Sequence, residues 1–141
     1  MSDIKEPIMQ YESKEQLIAS LKEWQDRLFL NDWIIKVSLV DELYDEYGAE
    51  LCGKNNFNLE VKSCHIRLIK PNEDRTSRIV KFCAELTLVH ELLHCKYNWC
   101  KAPENHEGIY YDILEHSLIE QMAKSLIMAK YNLPFEWFKN F

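Results

Sequence analysis

His90-Glu91-Leu92-Leu93-His94 places two imidazoles four residues apart, with a carboxylate beside the first. On an α-helix such positions lie one above the other on a single face, so the two rings converge on one point. Two imidazole nitrogens at one point suit Zn²⁺. Glu91 stands where its carboxylate reaches a metal-bound water, whose pKa zinc lowers towards neutrality, and can take that proton and pass it on. One helical turn thus codes a metal, a nucleophile and a general base. The competing explanation is a pair of core histidines satisfied by hydrogen bonds. The surroundings favour the metal. The run from Phe82 to Val89 is mostly apolar, lacks Gly and Pro, and predicts a helix. Phe82, Leu86, Val89, Leu93 and Tyr97 form one stripe at helical spacing. Cys83, Thr87, His90 and His94 form a neighbouring one.

A catalytic zinc site needs a third protein ligand and an open position. Cys100, His106, His116 and Glu120 compete for the role. Cys100 lies six residues after His94, and a thiolate there could close the site. His106 lies in a loop. His116 and Glu120 fall on a stripe with Ile109, Ile113, Ala123 and Ile127, which is expected to face inward. A buried His and Glu are costly unless hydrogen-bonded or bound to metal. The natural arrangement makes one the ligand and the other its hydrogen-bonding partner. Packing of the two long helices favours His116, because a core-facing residue midway along the second can face His90 and His94. Glu120, one turn later, is the alternative ligand, and Glu115 lies one position off the stripe.

These side chains need a scaffold. The chain of 141 residues is long enough for one domain with a real core. Ser13 and Gln16 make a capping box for an amphipathic helix over 14–30. Trp33–Val40 reads as a strand, Ala49–Cys52 as a short one, Gly53–Asn56 as a turn, and Leu59–Lys70 as a strand or bent pair. The His-pair helix follows, and a second long helix spans about Ile109–Tyr131. The order is helix, small sheet, helix, helix: an α+β layout, with residues 1–12 as a flexible, frayed N-terminus and 13–141 as a single domain.

Composition excludes several classes of function. A net charge of −6 argues against a nucleic-acid grip, which needs a basic face. The basic residues Lys62, Arg67, Lys70, Arg75, Arg78 and Lys81 are expected to form a solvated strand and loop. There is no secretory signal pattern and no apolar run long enough for a membrane span. Five cysteines without a CxxC pair fit a reduced cytoplasmic protein.

Leu86-Thr87-Leu88-Val89-His90-Glu91-Leu92-Leu93-His94 resembles the HExxH helix of zinc metallopeptidases, the zincins. The chain is similar to their small cytosolic members, SprT-like and ImmA/IrrE-type peptidases and phage-encoded relatives, from the strand at Trp33 to the second helix. His116-Ser117-Leu118-Ile119-Glu120-Gln121-Met122-Ala123 has the shape of the ImmA/IrrE ligand segment, with His116 in the place of the usual Glu. Lys96 departs from the apolar residue usual two positions after the second His, and no helix-turn-helix or basic tail accompanies the core.

The resemblance implies a minimal zincin-like α+β fold. Its parts are an N-terminal helix, a small, mostly antiparallel sheet, the HExxH helix and a C-terminal ligand-bearing helix. It also implies one Zn²⁺ on His90, His94 and His116, hydrolysis of a peptide bond with Glu91 as base, and a protein or peptide substrate paired with an edge strand at Cys64–Lys70. Tyr97, Tyr110 and Tyr111 are the candidates to steady an oxyanion. A non-catalytic alternative uses the same core as a binding or inhibitory module with structural zinc.

Overall fold

The computed structural model describes residues 6–70, 82–97 and 108–139, with side chains from 113 onward in the last segment. Helix α1 spans Lys14–Arg27. Its start is the expected cap: the Ser13 hydroxyl accepts from the Gln16 N–H at 3.1 Å, and Gln16 Oε1 accepts from the Glu12 N–H at 2.8 Å. It stops short of residue 30 because Phe29 adopts φ 57°, which turns the chain out of the helix. Lys96 donates to the Leu28 carbonyl at 2.7 Å, so it caps the C-terminal end of α1.

Strands β1 (Ile34–Val40), β2 (Gly53–Asn58) and β3 (Ser63–Ile69) form one sheet in the order β1-β3-β2. β1 and β3 run parallel, and β2 and β3 antiparallel. The sheet is therefore mixed instead of mostly antiparallel. Three other expectations also fail here. The Cys64–Lys70 segment is the central strand and not an edge. Its Cys64, Ile66 and Leu68 all point into the core, and its backbone pairs with β1 on one side and β2 on the other. The expected turn at Gly53–Asn56 is a strand, while Ala49–Cys52 contributes only an isolated bridge, Tyr44 to Glu50. The chain turns instead just before β3, where Lys62 takes φ 50°.

Helices α1 and α2 (Ala84–Tyr97) cover the inward face of this sheet. Leu88, Val89 and Leu92 of α2 are wholly enclosed, as are Ile119, Ala123 and Ile127 of α3, which spans Gly108–Tyr131. The segment before α1 is not frayed over its described part. Tyr11 is 1 % exposed, and the Met9 and Ile8 carbonyls accept from the Ala84 and Glu85 N–H groups at 2.9 and 3.0 Å. Those donors open α2 and have no partner within the helix, so residues 8 and 9 serve as its cap.

Glu85 locks this corner. It is fully buried and accepts hydrogen bonds from the Ile8 N–H, Trp24 Nε1, Lys130 Nζ and the Tyr131 hydroxyl. The N-terminal segment, α1, α2 and α3 thus meet on one carboxylate. Its burial is tolerated because each oxygen is bonded and a cation is adjacent. No helix among the described residues is long and apolar enough to cross a membrane.

Candidate metal centre

α2 carries His90 and His94 on the margin of its buried surface, facing α3. α3 brings His116 to meet them. The ring centroids of His90 and His94 lie 5.0 Å apart, of His94 and His116 4.9 Å, and of His90 and His116 5.6 Å. One ligand atom from each of the three lies within 4.8 Å of the others. The structure brings together the three histidines expected from the sequence.

The outer nitrogens of the α2 histidines are held by α3. His90 Nδ1 lies 2.7 Å from Glu120 Oε2, and His94 Nδ1 lies 3.2 Å from Glu115 Oε1. Each carboxylate accepts an N–H, so each ring turns its bare Nε2 lone pair inward. The two Nε2 atoms stand 3.3 Å apart. Two lone pairs converging at that distance repel unless a proton or a cation lies between them. Ligands at ~2.05 Å from a tetrahedral zinc stand about 3.3 Å from each other. The spacing of this pair and the donor set of three imidazoles fit Zn²⁺.

Of the two roles open to Glu120, the geometry shows the hydrogen-bonding one. Glu115 supplies the equivalent contact to His94 and is 5 % exposed. It was expected one position off the inward stripe. The buried line of α3 is in fact Glu115, Ile119, Ala123 and Ile127, while Ile113 is 63 % exposed and His116 sits at the solvent edge. The helix is rotated from the expected stripe, so His116 and Glu120 form the rim of the core and Glu115 its floor.

Electrostatics follow from this layout. Burial opposes protonation of His90. The hydrogen bond it donates to Glu120 and the charges of Glu91, Glu120 and Glu115 outweigh it, so its pKa rises. Glu120 moves down, chiefly through its bond to His90. Glu91 is 8 % exposed, and burial pushes its pKa from 4.5 up to about 7, partly offset by His90 and reinforced by Glu120.

Glu91 borders a cavity of about 340 Å³ shared with His90, His116, Glu120, Thr87 and Gly53. The floor of that cavity is set by a close approach of β2 to α2. A Cβ at position 53 would lie 2.6 Å from Thr87 Cγ2 and 3.0 Å from Leu68 Cδ2, so only glycine lets the strand lie this near the helix. Asn55, two residues on and on the same face, donates to the Glu91 carbonyl at 2.8 Å. Gly53 and Asn55 thus hold α2 against the sheet, which is why turn-forming residue types stand inside a strand.

Tyr97 packs against the hydrophobic core and is not part of the cavity wall. Tyr110 and Tyr111 have side chains outside the described residues, as do Cys100 and His106 entirely. Comparisons with protein-family models, with curated proteins and with solved structures found no match.

Proposed function

We propose that this chain is a zinc-dependent peptidase, in which His90, His94 and His116 hold one Zn²⁺ and Glu91 is the general base. The observation that carries the reading is the convergence of three imidazoles from two helices beside a cavity lined by Glu91. Bound zinc would supply a water of near-neutral pKa and polarise a carbonyl oxygen. The chain's own residues do the rest. Glu120 and Glu115 fix the ring orientations of His90 and His94. Glu91, with an ionisation near neutrality, accepts a proton from the attacking water and returns it to the leaving amine.

An extended substrate would pair with β2 and not with the central β3. Leu51, Cys52 and Gly53 line the cavity, and among the described strands β2 pairs on one side only, so its outer edge is suited to strand addition. The non-catalytic alternative needs a closed metal site. Among the described residues the cluster offers three ligands and an adjoining cavity, the arrangement of an open site.

Purified protein is expected to carry near-stoichiometric zinc. Glu91→Gln should keep that metal and lose cleavage. The proteomes of cells expressing either form should differ in a small set of fragments present only with the parent. Identical fragment sets in the two would refute the reaction.

A further inference from the structure

Where α2 packs on the sheet, two thiols meet. Cys95 follows His94 directly in α2, and Cys64 lies on the inward face of β3. Both are unbridged. Their sulfurs are 3.6 Å apart, with the Cys95 S–H directed at Cys64. Asn55 donates through Nδ2 both to Cys95 Sγ, at 3.1 Å, and to the Glu91 carbonyl, at 2.8 Å. Its buried Oδ1 has no hydrogen-bond partner among the described residues. The thiol pair is thus wired by one amide to the turn that carries the proposed base. Cys83, by contrast, is a buried thiol bonded to the Ile8 carbonyl.

We propose that Cys64 and Cys95 are a redox modification site, a dithiol that a peroxide-class oxidant converts reversibly into an intrachain disulfide. A bonded pair of sulfurs sits at ~2.05 Å, so closure needs an approach of about 1.5 Å. Side-chain torsion and a small shift of the last turn of α2 provide it. The oxidant has a route at Cys95, which borders a surface groove of about 350 Å³, while Cys64 is reached through it from the buried side of β3.

The chemistry balances in two steps. One sulfur attacks the peroxide O–O bond. An S–O bond forms, the O–O bond breaks, and one water leaves, giving a sulfenic acid. The second sulfur attacks the first. The S–S bond forms, the S–O bond breaks, and a second water leaves. The two thiols lose two electrons and hydrogen peroxide gains them. Because His94 shares the turn of Cys95, closure displaces a ligand of the metal centre; this consequence rests on the metal-centre reading above.

The test is hydrogen peroxide treatment of the full chain, followed by alkylation of remaining thiols and non-reducing peptide mapping. The expected product has lost two hydrogens and links the peptides that contain Cys64 and Cys95. Dithiothreitol should reverse it, and Cys64→Ser should abolish it. Chelator competition should then show zinc affinity about tenfold lower in the oxidised protein, restored on reduction. No crosslink, or a crosslink through Cys52, Cys83 or Cys100 instead, overturns the site. A correct crosslink with unchanged zinc affinity overturns its coupling to the metal. Mapping does not depend on cleavage, so reduced protein that binds no zinc would sink the metal centre while the dithiol is still decided.

Discussion

Glu91 is a group whose proposed role in catalysis should be legible as a defect in stability. In the zinc-free protein its carboxyl has a pKa raised from 4.5 to about 7, chiefly by burial. The native state therefore binds this proton more tightly than the unfolded chain does. Between those two values stability falls as pH rises, and the loss is complete once pH exceeds the folded pKa. At ~1.4 kcal/mol per pH unit, the difference corresponds to about 3 kcal/mol.

Gln mimics the protonated acid and cannot ionise. Glu91→Gln should therefore stabilise the zinc-free protein at pH 8 by up to about 3 kcal/mol, or on the order of 10 °C in Tm. Near pH 4.5 the gain should vanish. The assay is urea and thermal unfolding of both proteins by circular dichroism, with a chelator present, at several pH values. The histidines titrate in both proteins, so the difference reports Glu91 together with its coupling to His90. Saturating zinc should shrink the gap at pH 8, because a nearby cation favours the carboxylate. A Glu91→Gln protein no more stable than the parent at pH 8, or a gain that does not depend on pH, would refute the assignment of a base whose ionisation burial opposes.

The remaining expectations concern the supports of the site. His116→Ala should lose more zinc affinity than Glu120→Ala or Glu115→Ala, each of which should cost roughly 10–100-fold as the loss of a ligand's hydrogen-bonding partner; equal zinc content in His116→Ala and the parent, measured by atomic emission, would remove it from the ligand set. Gly53→Ala should destabilise by about 1–3 kcal/mol through overpacking against Thr87 Cγ2. Thr87→Ser, which deletes that methyl, should recover part of the loss in a double-mutant cycle of urea midpoints; a cycle without coupling would show that the close approach is not what glycine serves. Glu85→Ala removes the buried one of the two carboxylates that pair with the Lys130 ammonium, leaving Glu23, and leaves the Ile8 N–H and Trp24 Nε1 without their acceptor. It should cost about 3–5 kcal/mol in urea unfolding, and a loss under 1 kcal/mol would mean that water replaces the carboxylate.

Local spacing made part of this molecule legible in one dimension. The convergence of His90 and His94 is a property of helical geometry alone, because residues four apart share a face whatever the helix packs on. The Ser13 cap and the existence of α1, α2 and α3 follow from periodicity and capping chemistry for the same reason: partner and pattern lie within a few residues of each other. The α+β order follows from the succession of periods along the chain.

What the tertiary structure decided is everything that depends on a partner distant in sequence. Strand order is one such feature. Nothing local says that β3 takes β1 on one side and β2 on the other, so an edge and a centre cannot be told apart by inspection. β2 itself was hidden because Gly53 and Asn55-Asn56 are turn formers by propensity. They stand in a strand because α2 passes too close for a side chain at 53 and offers a carbonyl to the amide at 55. The rotation of α3 is another. Its pattern admits two neighbouring stripes, and only contact with α2 selects the one that buries Glu115 and sets His116 at the rim. The pairing of His90 with Glu120 and of His94 with Glu115 spans 30 and 21 residues, as does, over 31, the meeting of Cys64 with Cys95. A sequence carries such residues as separate types, and only folding gives them a common place, because the forces that join them act over a few ångströms in space and not along the chain.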